Sequence, residues 1–192
     1  MSALAMLTSE AGVWVSGSDR CDSDIIQKLK GYGINAYVGS NNSIVSGSDL
    51  VVYTSAVGGD DKELKFARAN KIRCMERKAY LAFMSKTCKS VIAVAGSHGK
   101  TSVSAMLCHI FDGMALPFKG HVGGIIKSVG KNYIDTGNDY FVTEACEYGR
   151  SFLSLEPDIG VILNCDYDHP DTYPTKENMY EAFVKFAEQS KI

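Results

Sequence analysis

None of the six cysteines, at positions 21, 74, 88, 108, 146 and 165, lies in a C-x-x-C pair. The usual zinc half-site and the dithiol redox motif are therefore missing. We expect reduced, mostly buried thiols in a cytoplasmic protein. No apolar run approaches the roughly 20 residues that cross a bilayer. The opening residues, MSALAMLTSEAG, carry no Lys or Arg and include Glu10, which makes a poor secretory leader. The 20 basic side chains do not outnumber the 22 acidic ones, and the net charge is −2. A nucleic-acid footprint is excluded on that balance. No internal repeat or low-complexity segment interrupts the chain.

What is present is organised around Val91-Ile-Ala-Val-Ala-Gly-Ser-His-Gly-Lys-Thr-Ser102. Val91 to Ala95 read as a buried strand, and glycines at 96 and 99 mark a tight loop. Val103, Met106, Leu107, Ile110 and Phe111 then recur at helical spacing, which predicts an amphipathic helix with those five facing inward. A strand, a glycine loop and a helix N-terminus together present backbone N–H groups to an anion. Lys100 adds a full positive charge, and the Thr101 hydroxyl suits a magnesium ion. The common phosphate-loop pattern G-x-x-x-x-G-K-[ST] is not met in full, because Val94 stands at its first position.

Before this stretch, helices are expected over 2–12, 23–30, 60–70 and 76–85. Strands are expected over 13–16, 34–38, 49–53 and 72–75. The alternation implies a parallel sheet covered on both faces, with ligands at the carboxyl ends of its strands. Ser18 and Asp19 follow the first of these strands, and Thr54 and Ser55 follow the third, so both pairs fall on the ligand rim. A carboxylate at the position of Asp19 suits a ribose hydroxyl, although a turn or cap role is the better fit from sequence alone.

A second unit starts near residue 88. It has loop-rich stretches over 120–124 and 130–137, strands over 140–143 and 159–163, and a helix over 176–189. Met179, Ala182, Phe183 and Phe186 form the helix's core stripe. Glu144 and the group Asn164, Asp166, Asp168 and His169 each follow a strand, on the edge that carries the phosphate loop. Hard oxygen donors beside a phosphate chain suit magnesium, for which His169 would be an unusual ligand. His98 either donates to a phosphate or covers it. His109 and His121 are read as structural.

These residues resemble the Mur ligase family. The matching stretches are Met1-Ser-Ala-Leu-Ala5, Val15-Ser-Gly-Ser-Asp19, Ala95-Gly-Ser-His-Gly-Lys-Thr-Ser102, Glu144-Ala-Cys-Glu-Tyr-Gly-Arg-Ser-Phe-Leu153, Ile162-Leu-Asn164 and Asp168-His-Pro-Asp-Thr-Tyr173. They run in the family's order over nearly the whole chain, and the histidine of G-S-H-G-K-T fits the family's alanine-adding branch. The resemblance implies an α/β architecture. Residues 1–87 would form a Rossmann-like, UDP-sugar-binding domain with its first strand missing, and residues 88–192 an incomplete phosphate-loop ATPase domain. It implies ATP and Mg2+ as cofactors, with UDP-N-acetylmuramate and L-alanine joined through an acyl phosphate in peptidoglycan synthesis. Gly96, Ser97, His98, Gly99, Lys100, Thr101, Ser102 and Asn164 would bind ATP. Ser18, Asp19, Thr54 and Ser55 would lie by the UDP group. Thr101, Glu144 and His169 would hold metal, with Lys100, Glu144 and His169 as the catalytic set.

The resemblance also implies a further strand before Met1 and a closing domain after Ile192. The chain is therefore expected to be a fragment with little activity alone, prone to self-association through its incomplete sheet. Rival readings are a ligase that returns murein tripeptide to the same UDP-sugar, a non-catalytic nucleotide- or UDP-sugar-binding fragment, and a small-molecule kinase.

Overall fold

A computed structural model describes residues 1–192. The chain divides into two compact units, Met1–Tyr80 and Leu81–Ile192.

In the first unit, α1 (Ser2–Glu10) buries Ala3, Leu4, Met6 and Leu7. Ala11, expected on that face, is exposed. β1 covers Ser16–Asp19, three residues beyond the expected strand. Val13 and Trp14, the residues that suggested the strand, are exposed at 54% and 66%. Pairing decides this placement. β1 is held by parallel bonds to β2 (Asn35–Val38) in the register Ser16 with Asn35 to Asp19 with Val38. α2 (Asp24–Gly31) begins at the Ser23 cap, whose hydroxyl accepts from Ile26 N. It buries Ile26 but leaves Ile25 exposed, against expectation. A short α3 (Asn42–Ser46), unmarked in the sequence, leads to β3 (Leu50–Tyr53). α4 (Lys62–Ala69) starts at Asp61, whose Oδ1 accepts from Glu63 N and Leu64 N at 3.0 Å each. Such a cap contributes about 1 kcal/mol. β3 pairs in parallel with β4 (Arg73–Glu76), which runs into α5 (Arg77–Ser85). The expected single sheet is two separate parallel pairs, β1–β2 and β3–β4, with no ladder between β1 and β3.

The second unit is a five-stranded sheet in the order β7-β6-β8-β5-β9. Its strands are β5 (Ser90–Ala95), β6 (Phe118–Ile126), β7 (Lys131–Asp135), β8 (Tyr140–Glu144) and β9 (Ile159–Ile162). β5 lies between β8 and β9, parallel to both, and β6 is parallel to β8. Only β7 runs antiparallel, against β6. The glycine-rich stretch expected as loop is thus β6, with β7 as its hairpin partner. Its glycines serve close packing. A Cβ at Gly120 would lie 2.7 Å from Cys108 Sγ, and one at Gly124 2.9 Å from Thr101 Cγ2.

Cys108 belongs to α6 (Lys100–Gly113). That helix presents Ser104 and Cys108, not the expected apolar five, most deeply to the sheet. Both are 0% exposed, whereas Met106 is 62% and Ile110 52% exposed. The flat, glycine-lined surface of β6 takes small side chains at short range, and that selects the helix face. Cys108 packs in a core with Ile92, Phe118, Val122, Ile126, Ile134 and Val142. α7 (Lys176–Gln189) forms as expected, with Thr175 as cap and Met179, Ala182, Phe183 and Phe186 buried. Its Phe183 meets Phe152 edge to face at 5.2 Å between ring centroids, and its Phe186 stacks on the same ring at 5.1 Å. None of the six cysteines is in a disulfide, but only Cys88 and Cys108 are buried, fewer than expected. No helix is long and apolar enough to cross a membrane.

Candidate functional site

The parallel strands β5, β8 and β9 end on one edge of the sheet, and each end feeds a residue of interest. Backbone geometry builds the loop after β5. Gly96 has φ 142°, and Gly99 caps α6 at φ 84°, both costly for any residue with a Cβ. At Gly96 a Cβ would also press on Leu163 Cβ at 3.1 Å and Asn164 N at 3.3 Å. Asn164, just past β9, clamps the loop from outside. Its Oδ1 accepts from His98 N at 2.9 Å, its Nδ2 donates to His98 O at 3.0 Å, and its carbonyl accepts from Ser97 N at 3.4 Å. Ser97 Oγ donates to Asp166 O at 2.6 Å. The His98 ring is exposed, 4.0 Å from Asp166.

Lys100 folds back over this loop. Its Nζ donates to Gly96 O at 2.5 Å and approaches Ser97 O at 3.3 Å. It also donates to Glu147 Oε1 at 3.0 Å. Oε2 of the same carboxylate lies 2.8 Å from Nζ but off the line of a hydrogen bond, so that contact is an ion pair. His169 Nε2 lies 3.4 Å from Glu147 Oε1 and 3.7 Å from Asp168 Oδ2. Lys100 and His169 therefore meet through Glu147, which is 1% exposed.

Glu147 opens a 3-10 helix over Tyr148–Ser154, in which Gly149 and Arg150 are left-handed. His169 is left-handed too, at φ 57°. Two non-glycine residues held in that region, Arg150 and His169, store backbone strain of the kind found at functional sites. Tyr173 locks the two loops together: it is 0% exposed, and its hydroxyl donates to Glu147 O at 2.6 Å. Burial, and after it the Glu147 charge, raises the Tyr173 phenol to about 12, so it stays a donor at neutral pH.

Glu144 points to a different neighbour. Its Oε1 accepts from Gly123 N at 2.5 Å. A Cβ at Gly123 would come within 3.1 Å of its Oε2. Thr101 lies against the adjacent Gly124. Thr101 and Glu144 thus flank consecutive residues of β6. No group of three or more His, Cys, Asp or Glu side chains is placed to hold a metal ion. Burial, then the charge of Glu144, pushes the Cys108 thiol up to about 12, which leaves it unreactive.

In the first unit, Ser18 and Asp19 are the last residues of β1 and not part of a following loop. Ser18 Oγ donates to Glu63 Oε2 at 2.5 Å, and Glu63 Oε1 accepts from Tyr37 OH at 2.8 Å and Asn41 N at 2.7 Å. Burial and the bond to Glu63 push the Tyr37 phenol up. Asp19 Oδ1 accepts from Cys21 N at 3.4 Å, in the turn role that the sequence left open. Thr54 and Ser55 follow β3, where Thr54 O accepts from Val57 N at 3.0 Å.

Sequence reasoning missed Glu63 and Glu147. Glu63 reads as an ordinary first-turn acid. Glu147 lies three residues past Glu144 with no strand or loop signal of its own, and nothing local reports its burial. His121 is 3% exposed, with Nδ1 2.9 Å from Thr143 Oγ1, a structural place as expected. His109 is exposed.

Residues 94–192 match the family described as Mur ligase middle domain, and residues 1–88 match Mur ligase family, catalytic domain. A UDP-N-acetylmuramate–L-alanine ligase of Caldicellulosiruptor bescii is 38% identical over 189 residues, covering 98% of this chain and 42% of that protein. One from Clostridium acetobutylicum is 42% identical over 186 residues, covering 97% of this chain and 41% of the relative. The crystal structure of UDP-N-acetylmuramate-alanine ligase from Thermotoga maritima superposes with a TM-score of 0.91 at 28% identity, over 100% of this chain and 45% of that one. A UDP-N-acetylmuramate:L-alanyl-gamma-D-glutamyl-meso-diaminopimelate ligase from Neisseria meningitides shares the fold, with a TM-score of 0.87 at 22% identity over 99% of this chain and 64% of its own. The chain spans about two fifths of the length of the curated relatives it matches.

Proposed function

The chain belongs to the Mur ligase family, and on that premise we propose that it is the nucleotide- and UDP-sugar-binding part of an ATP-dependent ligase. The reaction is the joining of L-alanine to UDP-N-acetylmuramate through an acyl phosphate, the activity in the names of its relatives. Residues 1–87 hold the UDP-sugar and 88–192 the ATP phosphates, in the cytoplasm. The observation that carries the reading is the loop after β5. Two glycines at positive φ, a helix N-terminus and the Lys100 ammonium converge there at the carboxyl edge of a parallel sheet.

An amine cannot displace hydroxide from a carboxylate at neutral pH, and ATP supplies phosphate as a workable leaving group. The chain's own share is positioning and charge cancellation. The N–H groups of Gly99 to Ser102 at the start of α6 cradle the phosphates, Asn164 holds Ser97 and His98 in place, and Lys100 neutralises the β- and γ-phosphates. Ser18, Asp19, Thr54 and Ser55 face the UDP group.

Magnesium fits the donor set. It draws most of its ligands from phosphate and water and takes only one or two from protein. The Thr101 hydroxyl and the Glu144 carboxylate, against neighbouring glycines of β6, supply hard oxygens of that kind. His169 would serve a second ion, as the family resemblance implies.

The test is titration of the purified chain with ATP and magnesium, beside Lys100→Ala. Loss of one charge-assisted phosphate contact should weaken ATP about tenfold or more. The protein that contains this chain should release phosphate only with both UDP-N-acetylmuramate and L-alanine. ATP binding indifferent to Lys100, or transfer to a murein tripeptide in place of alanine, would overturn the reading.

A further inference from the structure

We propose that Glu147 is a positioning residue that sets Lys100 and His169 together. Its carboxylate fixes the phosphate-loop ammonium at the loop, and its charge, 3.4 Å from His169 Nε2, favours the proton on that nitrogen, so that the ring offers its Nδ1 lone pair outward. The inference rests on the reading that Lys100 serves the phosphates and His169 the metal, and it adds to that site a residue from outside both.

A carboxylate 1% exposed is costly unless a cation and hydrogen bonds compensate it. Here the compensation comes from two elements at once: Lys100 at the start of α6, 3.0 Å from Oε1, and His169 in the loop after β9, 3.4 Å from the same oxygen. The root of the side chain is pinned as well. The Glu147 carbonyl accepts from the Tyr173 hydroxyl at 2.6 Å and from Arg150 N at 2.9 Å. With the carboxylate immobile, the ammonium has little freedom. Its other partners are the loop carbonyls of Gly96 and Ser97, so it is held against the loop.

The ring of His169 is equally constrained. Its own carbonyl accepts from Thr172 N and Tyr173 N at 2.9 Å each, and Tyr148 meets the ring edge to face at 5.1 Å. Both carboxylates near it, Glu147 and Asp168, lie on the Nε2 side. A neutral imidazole places its proton toward the acceptor, which leaves Nδ1 bare. A carboxylate behind the ring is how proteins orient a metal-binding histidine. An ion pair that served stability alone would need one partner, whereas Glu147 couples the phosphate loop to the metal-side loop.

The first measurement needs no nucleotide. Long-range proton–nitrogen correlation spectra of the histidine-labelled chain, at about pH 8 to keep imidazole neutral, report the tautomer. His169→Gln identifies the signals. We expect the Nε2–H form in the native chain and a mixed or Nδ1–H form in Glu147→Leu. The second measurement is displacement of a fluorescent nucleotide by ATP and by AMP, with magnesium. Glu147→Leu should weaken ATP about tenfold, the scale of one charge-assisted contact, and AMP less than about twofold, because AMP lacks the phosphates that Lys100 meets. Glu147→Asp, which keeps the charge one methylene shorter, should recover part of the loss.

An Nδ1–H ring in the native chain overturns the proposal. So does a Glu147→Leu variant that leaves ATP unchanged or weakens both nucleotides alike. If that variant does not fold, the native tautomer still decides. A native chain with the Nε2–H ring that binds no ATP would sink the functional reading while upholding the positioning.

Discussion

Replacing Gly124 with alanine should disturb Thr101, and removing one methyl from Thr101 should undo the damage. A Cβ at position 124 would lie 2.9 Å from Thr101 Cγ2. Ordinary carbon–carbon contact is about 3.5–4.0 Å, so the overlap is severe. Thr101 is exposed and sits in the first turn of α6, so it can relieve the clash by turning about χ1. An off-rotamer turn costs about 0.5–1.5 kcal/mol, and melting of the Leu81–Ile192 unit should fall by only a few degrees. The larger consequence is for the hydroxyl, which turns with the methyl. If Thr101 Oγ1 serves a magnesium ion on ATP, its loss from that position should weaken magnesium-ATP by about tenfold, or about 1.4 kcal/mol. ATP without magnesium should bind nearly as before. Thr101→Ser keeps the hydroxyl and lacks the colliding methyl, so Gly124→Ala/Thr101→Ser should recover most of the magnesium-dependent affinity. The assay is calorimetric titration with and without magnesium for the four proteins of the cycle. A double variant no better than Gly124→Ala, or a loss equal with and without magnesium, would refute the reasoning.

Gly120→Ala should cost about 1–3 kcal/mol, because the new methyl overpacks against Cys108 Sγ at 2.7 Å in the core. Cys108→Ala should be milder and should relieve that cost in combination; strictly additive denaturation midpoints would contradict it. Asp158 accepts from Lys191 Nζ at 2.6 Å and from Val91 N at 2.7 Å, and these bonds, the first more than the second, hold its carboxyl below the usual range. A depressed folded-state pKa stabilises above the unfolded carboxylate value and is lost as pH falls through the folded one. Asp158→Asn should therefore cost about 1–2 kcal/mol at pH 7. The gap to the native protein should close below roughly pH 4, as read from urea unfolding across pH.

The sequence by itself determined the local strand, glycine loop and helix at the phosphate site, because Gly96, Gly99 and Lys100 carry their chemistry in backbone freedom and charge. It also determined α7, whose apolar stripe at helical spacing leaves one face to bury. Parallel strands ending at Glu144 and just before Asn164 were legible for the same reason: short β-branched and apolar runs stand out along the chain.

Tertiary structure decided everything that depends on what lies opposite. β1 begins at Ser16 because β2 pairs there, although Val13 and Trp14 have the stronger strand propensity. The glycines of β6 looked like loop, yet they let Cys108, Glu144 and Thr101 come close, and that is invisible without the neighbours. The same close approach turns α6 so that Ser104 and Cys108 face inward and Met106 faces out. Glu147 is the sharpest instance. An acid in a turn is ordinarily solvated, and only the arrival of Lys100 from one side and His169 from the other makes its burial affordable. Periodicity and backbone preference are written residue by residue along a chain. Burial and charge pairing belong to pairs of residues far apart in sequence, and only folding brings those pairs together.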